Sequence, residues 1–580
     1  MVQHDEAEAD TGPAGDDRHL ARRGPRAFRE VTLGRPSTAG LVVGAVFWLA
    51  SLGPTLLPRA WMFQAAISAL SFLVGYGLGV LGALIVRATL RRLGRDGPTT
   101  SARTRARRVL VVAAPILVAV GLALWQGSQS DQRDLVAMPK LSPVAIVPML
   151  LLTVALVAVI LGIGRCISYV VSRIDAALLR HVPGWIAHTV TVVLVVVVGW
   201  TVSTDYVADG FLRWANTSFG TFDDTTAEGV TRPTGVTVSG GPGTLTPWDT
   251  LGYEGRNFAA GATPTEDLAE FAGAGADPVE PVRVYVGLQT AETTEERAQL
   301  AVRELERTGG FDREVLVVWT VTGTGWVDPV AARSLELMWA GDTAIVATQY
   351  SYFPSWISFL VDKDEAARDG EALNDAVYER WSTLPPDDRP RLVAFGLSLG
   401  SFGSEAAFLE DDVAASIDGV TERTDGVLWM GPTNSNSIWN QVERSRGSSP
   451  AWQPVIDDGE VMRYMPRLEE LDRSEPWDPP RMLYIGHPSD PVTWWDVPTL
   501  WRPPPWMDEP VGFDVPDRTQ WFPLVTWIAT VGDLIAGFST PPGHGHNYTS
   551  SYTDGWAIVV PPPGWSAEDT ARLEKELDVG

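Results

Sequence analysis

The chain has 580 residues and a formal net charge of -26, but the charge is divided: residues 1–204 carry 20 basic and 11 acidic side chains, net +9, and residues 205–580 carry 25 and 60, net -35. So acidic a back half repels nucleic acid, which is excluded as a partner. One cysteine, Cys166, excludes an intramolecular disulfide, and seven histidines without a Cys/His cluster argue against a structural zinc site; no metal or other cofactor is implied.

Residues 1–38 are polar and rich in Asp, Arg, Gly and Pro, the composition of a disordered tail. They are too long and too acidic for the n-region of a cleavable signal peptide. Five apolar stretches follow, roughly 39–57, 62–86, 108–125, 142–165 and 187–203, each near the ~20 residues that cross a hydrocarbon core. Residues 39–204 therefore read as an α-helical transmembrane domain of about five helices, the first interrupted by Gly53-Pro54. Arg22, Arg23, Arg26, Arg29 and Arg35 precede the first span, eight arginines from Arg87 to Arg108 lie between the second and third, and Arg165, Arg173 and Arg180 lie between the fourth and fifth. The other two loops carry Arg59, and Arg133 with Lys140. Cationic loops stay in the cytoplasm. The expected location is a multi-pass plasma membrane protein with a cytoplasmic N-terminus and everything from residue 205 outside. The mixed apolar and basic segment from Arg165 to Pro183 fits an amphipathic surface helix or a plain loop.

Residues 205–280 show no strong period and many Gly, Thr and Pro, and read as an irregular connecting segment. From 281 to 570 short apolar strands alternate with helices. "VRVYVGL", "EVLVVWTVTG", "TAIVATQYSY", "RLVAFG", "DGVLWMG" and "RMLYIG" are strand-like, and "TTEERAQLAVRELERTGG" and "PVAARSLELMWAG" are helix-like. The alternation predicts an α/β fold, with a mostly parallel sheet and helices on both faces. "FPLVTWIATVGDLIAGF" at 522–538 has the length of a span but contains Asp533, and is expected to be a core helix.

Gly396-Leu397-Ser398-Leu399-Gly400 fits G-x-S-x-G, between the strand "RLVAF" and the helical "SEAAFLE". That is the strand–turn–helix setting of a nucleophile elbow, which makes Ser398 the candidate nucleophile. After the elbow the expected order is acid, then histidine. Asp490 follows the strand "RMLYIG" and is the first choice of acid, with Asp496 as the alternative. His546 in "GHGHNY" is the first choice of base and His544 the second, while His487 is expected to hydrogen-bond locally. An oxyanion formed at Ser398 needs two backbone N–H donors. Leu399 supplies one, and Thr324 or Gly325, in the turn after "EVLVVWTV", is the candidate for the other.

"PWDTLGYEGRNF", "TGTGWVDP", "FGLSLGSFGSEAAF", "LWMGPTNSN", "GHPSDPV" and "GHGHNY" together resemble a family of bacterial, mostly actinobacterial, membrane proteins with an N-terminal multi-span domain and an α/β-hydrolase catalytic domain. The resemblance runs from about 40 to 570. It implies an α/β-hydrolase-type fold, with the triad roles on Ser398, Asp490 and one of His544 or His546. The expected activity is that of a serine esterase, lipase-like, acting on a lipid or other acyl ester outside the membrane. The alternatives are an acyltransferase that uses the same acyl-serine and a non-catalytic membrane scaffold. Nine tryptophans between Trp439 and Trp527 are expected to line an acyl site or touch the membrane, or to fill a core.

Overall fold

The computed structural model describes residues 36–95, 100–201, 209–273, 275–361, 363–468 and 477–579. The polar tail expected at 1–38, with its six arginines, lies outside them but for its last three residues. The chain forms two compact units: one of residues 1–49, 68–118 and 147–211, the other of residues 50–67, 119–146 and 212–580.

The first unit is helical. Its apolar helices are α1 (Thr38–Ala50), α2 (Trp61–Arg92), α3 (Thr100–Leu135), α4 (Ile146–Leu178) and α5 (Gly184–Thr201), of which α2 and α3 also run into the second unit. Among the described residues four stretches are long and apolar enough to cross a membrane: Trp61–Arg92, Val111–Leu135, Pro143–Leu178 and Gly184–Thr201. α1 has 13 residues and stops at Ala50, where the chain turns through Gly53-Pro54, so the stretch expected at 39–57 is helical for only part of its length. Glycines bring α1 and α2 together: a Cβ on Gly40 would sit 2.9 Å from the Tyr76 ring, and one on Gly79 2.6 Å from the Ala39 carbonyl. Small residues in this role are how helices approach closely in lipid. Arg165 to Leu178 forms no separate surface helix but continues α4, where Asp175 accepts from Thr191 of α5 at 3.2 Å.

The second unit is built on seven parallel strands: β1 (Val282–Val286), β2 (Val315–Thr320), β3 (Thr343–Thr348), β4 (Arg391–Leu397), β5 (Gly426–Met430), β6 (Met462–Met465) and β7 (Arg481–Ile485). Their order is β1-β3-β2-β4-β5-β7-β6. Every pairing is parallel, with Thr320 beside Gly396 and Leu397 beside Met430 in register. β2, β3 and β5 are buried along their whole length, as strands covered on both faces must be. Helix ends obey local chemistry. Thr293 and Glu296 form a capping box at the head of Thr294–Thr308, and Gly309 closes that helix at φ 71°. The four-residue β6, "MRYM", gave no sequence signal.

The segment expected to be irregular, 205–280, holds the helices Asp209–Asp223, Gly252–Ala260 and Thr265–Ala272. The last two are short, and Gly and Pro at their ends hide their period. Residues 50–67 and 119–146, read from sequence as loops and helix ends of the membrane part, belong to the second unit. Leu56 and Leu57 join the same core cluster as Trp429 and Trp506. Arg59 is buried and pairs with Asp533 at 2.9 Å, within the helix Val525–Ala536. This helix is the expected core element, and the ion pair accounts for its buried carboxylate. Arg59 also donates to Thr55 and, at 3.2 Å, to Gln64 Oε1, while its backbone N–H donates to Gln129 Oε1 at 2.9 Å.

Candidate active site

β4 delivers Ser398 at φ 57°, ψ -124°, a backbone region that an L residue occupies only under strain. Neighbouring close contacts hold it there. The Ser398 N–H donates to the Met430 carbonyl at 2.9 Å. The Ser398 carbonyl accepts from Ser401 N–H at 3.0 Å and from the Ser401 hydroxyl at 2.7 Å. Glycine is required on both sides. A Cβ on Gly396 would strike the Gly400 carbonyl, and one on Gly400 the Thr320 carbonyl of β2. The helix Leu399–Ala406 starts directly after Ser398, so its first N–H groups and dipole face the hydroxyl.

Asp490 follows β7 and is fully buried. Its Oδ1 accepts from Val492 N–H at 2.9 Å. Its Oδ2 lies 2.7 Å from His546 Nδ1 and accepts from the Tyr548 hydroxyl at 2.7 Å. A carboxylate there only accepts, so Nδ1 carries the proton and Nε2 presents a lone pair. His546 Nε2 is buried and has no hydrogen-bond partner among the described residues. Ser398 and His546 line one cavity of about 470 Å³, together with Thr322, Thr324, Trp326, Phe538 and Tyr548 among others. Burial pushes the Tyr548 phenol well above 10, with the Asp490 charge adding to it, so it stays a hydrogen donor.

The loop that carries His546 is shaped by Gly543 and Gly545, both at positive φ. The His546 N–H donates to the Gly537 carbonyl at 3.1 Å. The two late histidines go to different carboxylates: His544 Nδ1 lies 3.1 Å from Asp514 Oδ2, and Asp514 in turn accepts from the Ser489 hydroxyl at 2.6 Å. His544 therefore braces the loop against Asp514, and it is not among the residues that line the cavity. The His487 carbonyl bonds locally, accepting from Asp490 N–H at 3.0 Å, but the His487 side chain does not. Its Nδ1 donates to the Gly545 carbonyl at 2.9 Å, and its ring stacks on Tyr548 at 4.3 Å. Burial lowers its pKa and keeps it neutral at pH 7. Asp496 is exposed at the head of the turn Val497–Leu500, apart from any histidine contact in the described residues.

Of the oxyanion candidates, Leu399 opens the elbow helix as expected. The turn after β2 separates the other two. The Gly325 N–H donates to the Thr322 carbonyl at 2.7 Å, which commits it to its own turn and corrects the expectation for that residue. Thr324 lines the cavity. Two buried side chains hold this turn: Gln349 Nε2 donates to the Thr324 carbonyl at 2.9 Å, and the Tyr285 hydroxyl to the Gly325 carbonyl at 2.8 Å.

Sequence reasoning missed Gly431, which ends β5 at φ 54°. A Cβ there would sit 2.7 Å from the Tyr548 ring and 2.9 Å from His546 Cε1, so only glycine leaves the imidazole its place. The signal was present in "LWMGPT", a glycine directly after a strand. The nine tryptophans do not line this cavity; Trp439, Trp477, Trp494 and Trp506 are core residues, and Trp326 is the tryptophan at the site.

A family model described as "Alpha/beta-hydrolase family" matches residues 282–573, and a companion described as "Alpha/beta-hydrolase family N-terminus" matches residues 52–262. No curated protein and no solved structure matches the chain. With half of its length matched by the first of these models, the chain belongs to the alpha/beta-hydrolase family.

Proposed function

We propose that this protein is a membrane-anchored serine hydrolase of the esterase or lipase type, which cleaves an acyl ester on the extracytoplasmic side. The observation that carries the reading is the Asp490–His546 pair at 2.7 Å, whose free Nε2 shares a cavity with the strained Ser398. In this mechanism the Ser398 hydroxyl attacks the ester carbonyl carbon while His546 Nε2 takes its proton. The N–H groups of Leu399 and Thr324 hold the oxyanion. The proton passes from His546 to the departing alkoxide, which leaves as the alcohol. Water, deprotonated by the same nitrogen, then attacks the acyl-serine, and the acid leaves with Ser398 restored.

Two features support the substrate and the side. Phe538 lines the cavity and is 59 % exposed, and Trp356 and Ile535 are exposed on neighbouring segments, an apolar rim suited to an acyl chain. Residues 50–67 and 119–146, which hold the arginine-poor loops, belong to the same compact unit as Ser398, which supports an extracytoplasmic site. Labelling of the detergent-purified protein with a fluorescent fluorophosphonate tests the reading. Wild type and His544→Ala are expected to label, and Ser398→Ala and His546→Ala are not. A wild type that stays folded and unlabelled would remove it.

A further inference from the structure

The cavity beside Ser398 is walled partly by the segment "TLGYEGRNF", which the mechanism above does not use. Glu254, on the helix Gly252–Ala260, lines it. Asp328 is the other carboxylate there, but it is already occupied. Its Oδ1 accepts from Val330 and Ala331 at 2.8 and 3.1 Å, and its Oδ2 from the Tyr552 hydroxyl at 2.8 Å. Among the described residues no Lys or Arg lines the cavity.

The helix that presents Glu254 is anchored firmly. Asp223 Oδ1 accepts from Tyr253 N–H at 2.9 Å, and Arg256 donates to the Asp223 carbonyl on the other side of the helix start. Gly255 lies so close to Tyr285 that a Cβ would strike its ring. Asp223 also accepts from Gln349 at 3.1 Å, and the same Gln349 nitrogen holds the Thr324 carbonyl, so Glu254 and the oxyanion turn share one scaffold.

We infer that Glu254 selects the polar half of the substrate: it accepts a cationic or hydroxyl-bearing group and turns away an anionic one. The inference rests on the hydrolase reading above, since it assumes that the ester sits at Ser398. The apolar rim at Phe538 takes the acyl chain, and Glu254 faces the more polar remainder. Burial first, then the charge of Asp223, raises the Glu254 carboxyl to about 7, against a hydrogen bond from Asn257. A carboxyl held in that state gains most by meeting a positive charge, because the partner replaces the missing water and completes its ionisation.

The test compares three phosphonate esters that differ in one group: a trimethylammonium, its uncharged tert-butyl isostere and a carboxylate. The rate of Ser398 labelling is read by intact mass. In wild type the order is cation, neutral, anion. In Glu254→Gln the cation-to-anion ratio falls about tenfold, the discount of one unit charge in a partly screened cavity. Asp387→Asn serves as control for the general field of the acidic unit, because residue 387 lies before β4, at the opposite end of that strand from Ser398, and it leaves the ratio unchanged. If the neutral probe labels Ser398 in Glu254→Gln and the ratio is unaltered, the inference is overturned while the hydrolase reading stands. If no probe labels folded wild type at Ser398, the hydrolase reading fails and takes the inference with it. A ratio that falls equally in both variants assigns the preference to the overall field and overturns the role of Glu254.

Discussion

Replacing Arg59 by leucine leaves Asp533 buried without its cation. Both side chains are almost fully excluded from water, at 1 % and 0 % exposure, and Asp533 Oδ2 has no hydrogen-bond partner among the described residues. Removing one member of such a pair costs about 3–5 kcal/mol, because the remaining charge keeps its desolvation penalty and loses its compensation. For a unit of this size that corresponds to a fall in Tm of roughly 3–6 °C. The helix that carries Asp533 ends at Gly537, whose carbonyl holds the His546 N–H, and Phe538 meets the His546 ring edge-on at 4.9 Å. Fluorophosphonate labelling of detergent-solubilised protein after graded heating reads both losses at once. Arg59→Leu is expected to lose labelling at the lower temperature, and Arg59→Leu with Asp533→Leu to regain most of it, since two apolar side chains carry no uncompensated charge. A double variant as unstable as the single one, or an unaffected single variant, would refute the assignment of the stability to the ion pair.

Gly431→Ala places a methyl group against His546 and Tyr548 and is expected to slow labelling at least about tenfold, a rise of about 1.4 kcal/mol in the barrier, measured as the labelling rate of protein that still melts cooperatively. Tyr548→Phe removes the donor to Asp490 Oδ2 and should slow labelling about tenfold, as expected for a hydrogen bond to a charged group worth about 1.5–3 kcal/mol. Asp369 is fully buried, with the Thr348 hydroxyl donating to one oxygen, and burial raises its carboxyl to about 7. Below pH about 4 folded and unfolded chains both hold this proton. As the pH rises from about 4 toward 7 the unfolded chain releases it and the folded chain does not, so stability falls by up to about 4 kcal/mol and levels off above 7. Tm measured from pH 5 to 8 is expected to lose that part of its slope in Asp369→Asn.

The elbow was legible because its chemistry is local: two glycines around Ser398, an apolar strand before it and a helical sequence after it. Asp490 was legible for the same reason, as an Asp in the loop just past a strand. The base was legible only as a pair. His544 and His546 are two residues apart in one glycine-rich loop, and what separates them is which carboxylate each reaches. Asp514, the partner of His544, lies in "VGFDVPD", a stretch with no helix or strand period to place it. The turn proposed to hold the oxyanion was chosen by its position after a strand, but the commitment of the Gly325 N–H to Thr322 is a property of the folded turn. Glu254 escaped because its helix has nine residues and its role depends on a cavity assembled from segments as far apart in sequence as 254 and 552. The strong α/β alternation from 281 onward predicted six of the seven strands, and the apolar runs predicted the long helices; the extent of the first run and the helices of 209–272 depended on packing that periodicity does not report.

The pieces 50–67 and 119–146 have a practical meaning for anyone who wishes to separate the hydrolase fold from the long apolar helices. A cut at residue 205 or 281, where hydropathy would place the border, discards Leu56, Leu57, Arg59, Gln129 and Gln132 from a unit that counts them in its own interior. Such a fragment would bare an apolar surface beside Trp506 and strand the Asp533 carboxylate, two of the surest routes to aggregation. The hydrolase unit draws part of its interior from two segments that precede its sheet by more than a hundred residues, 50–67 and 119–146.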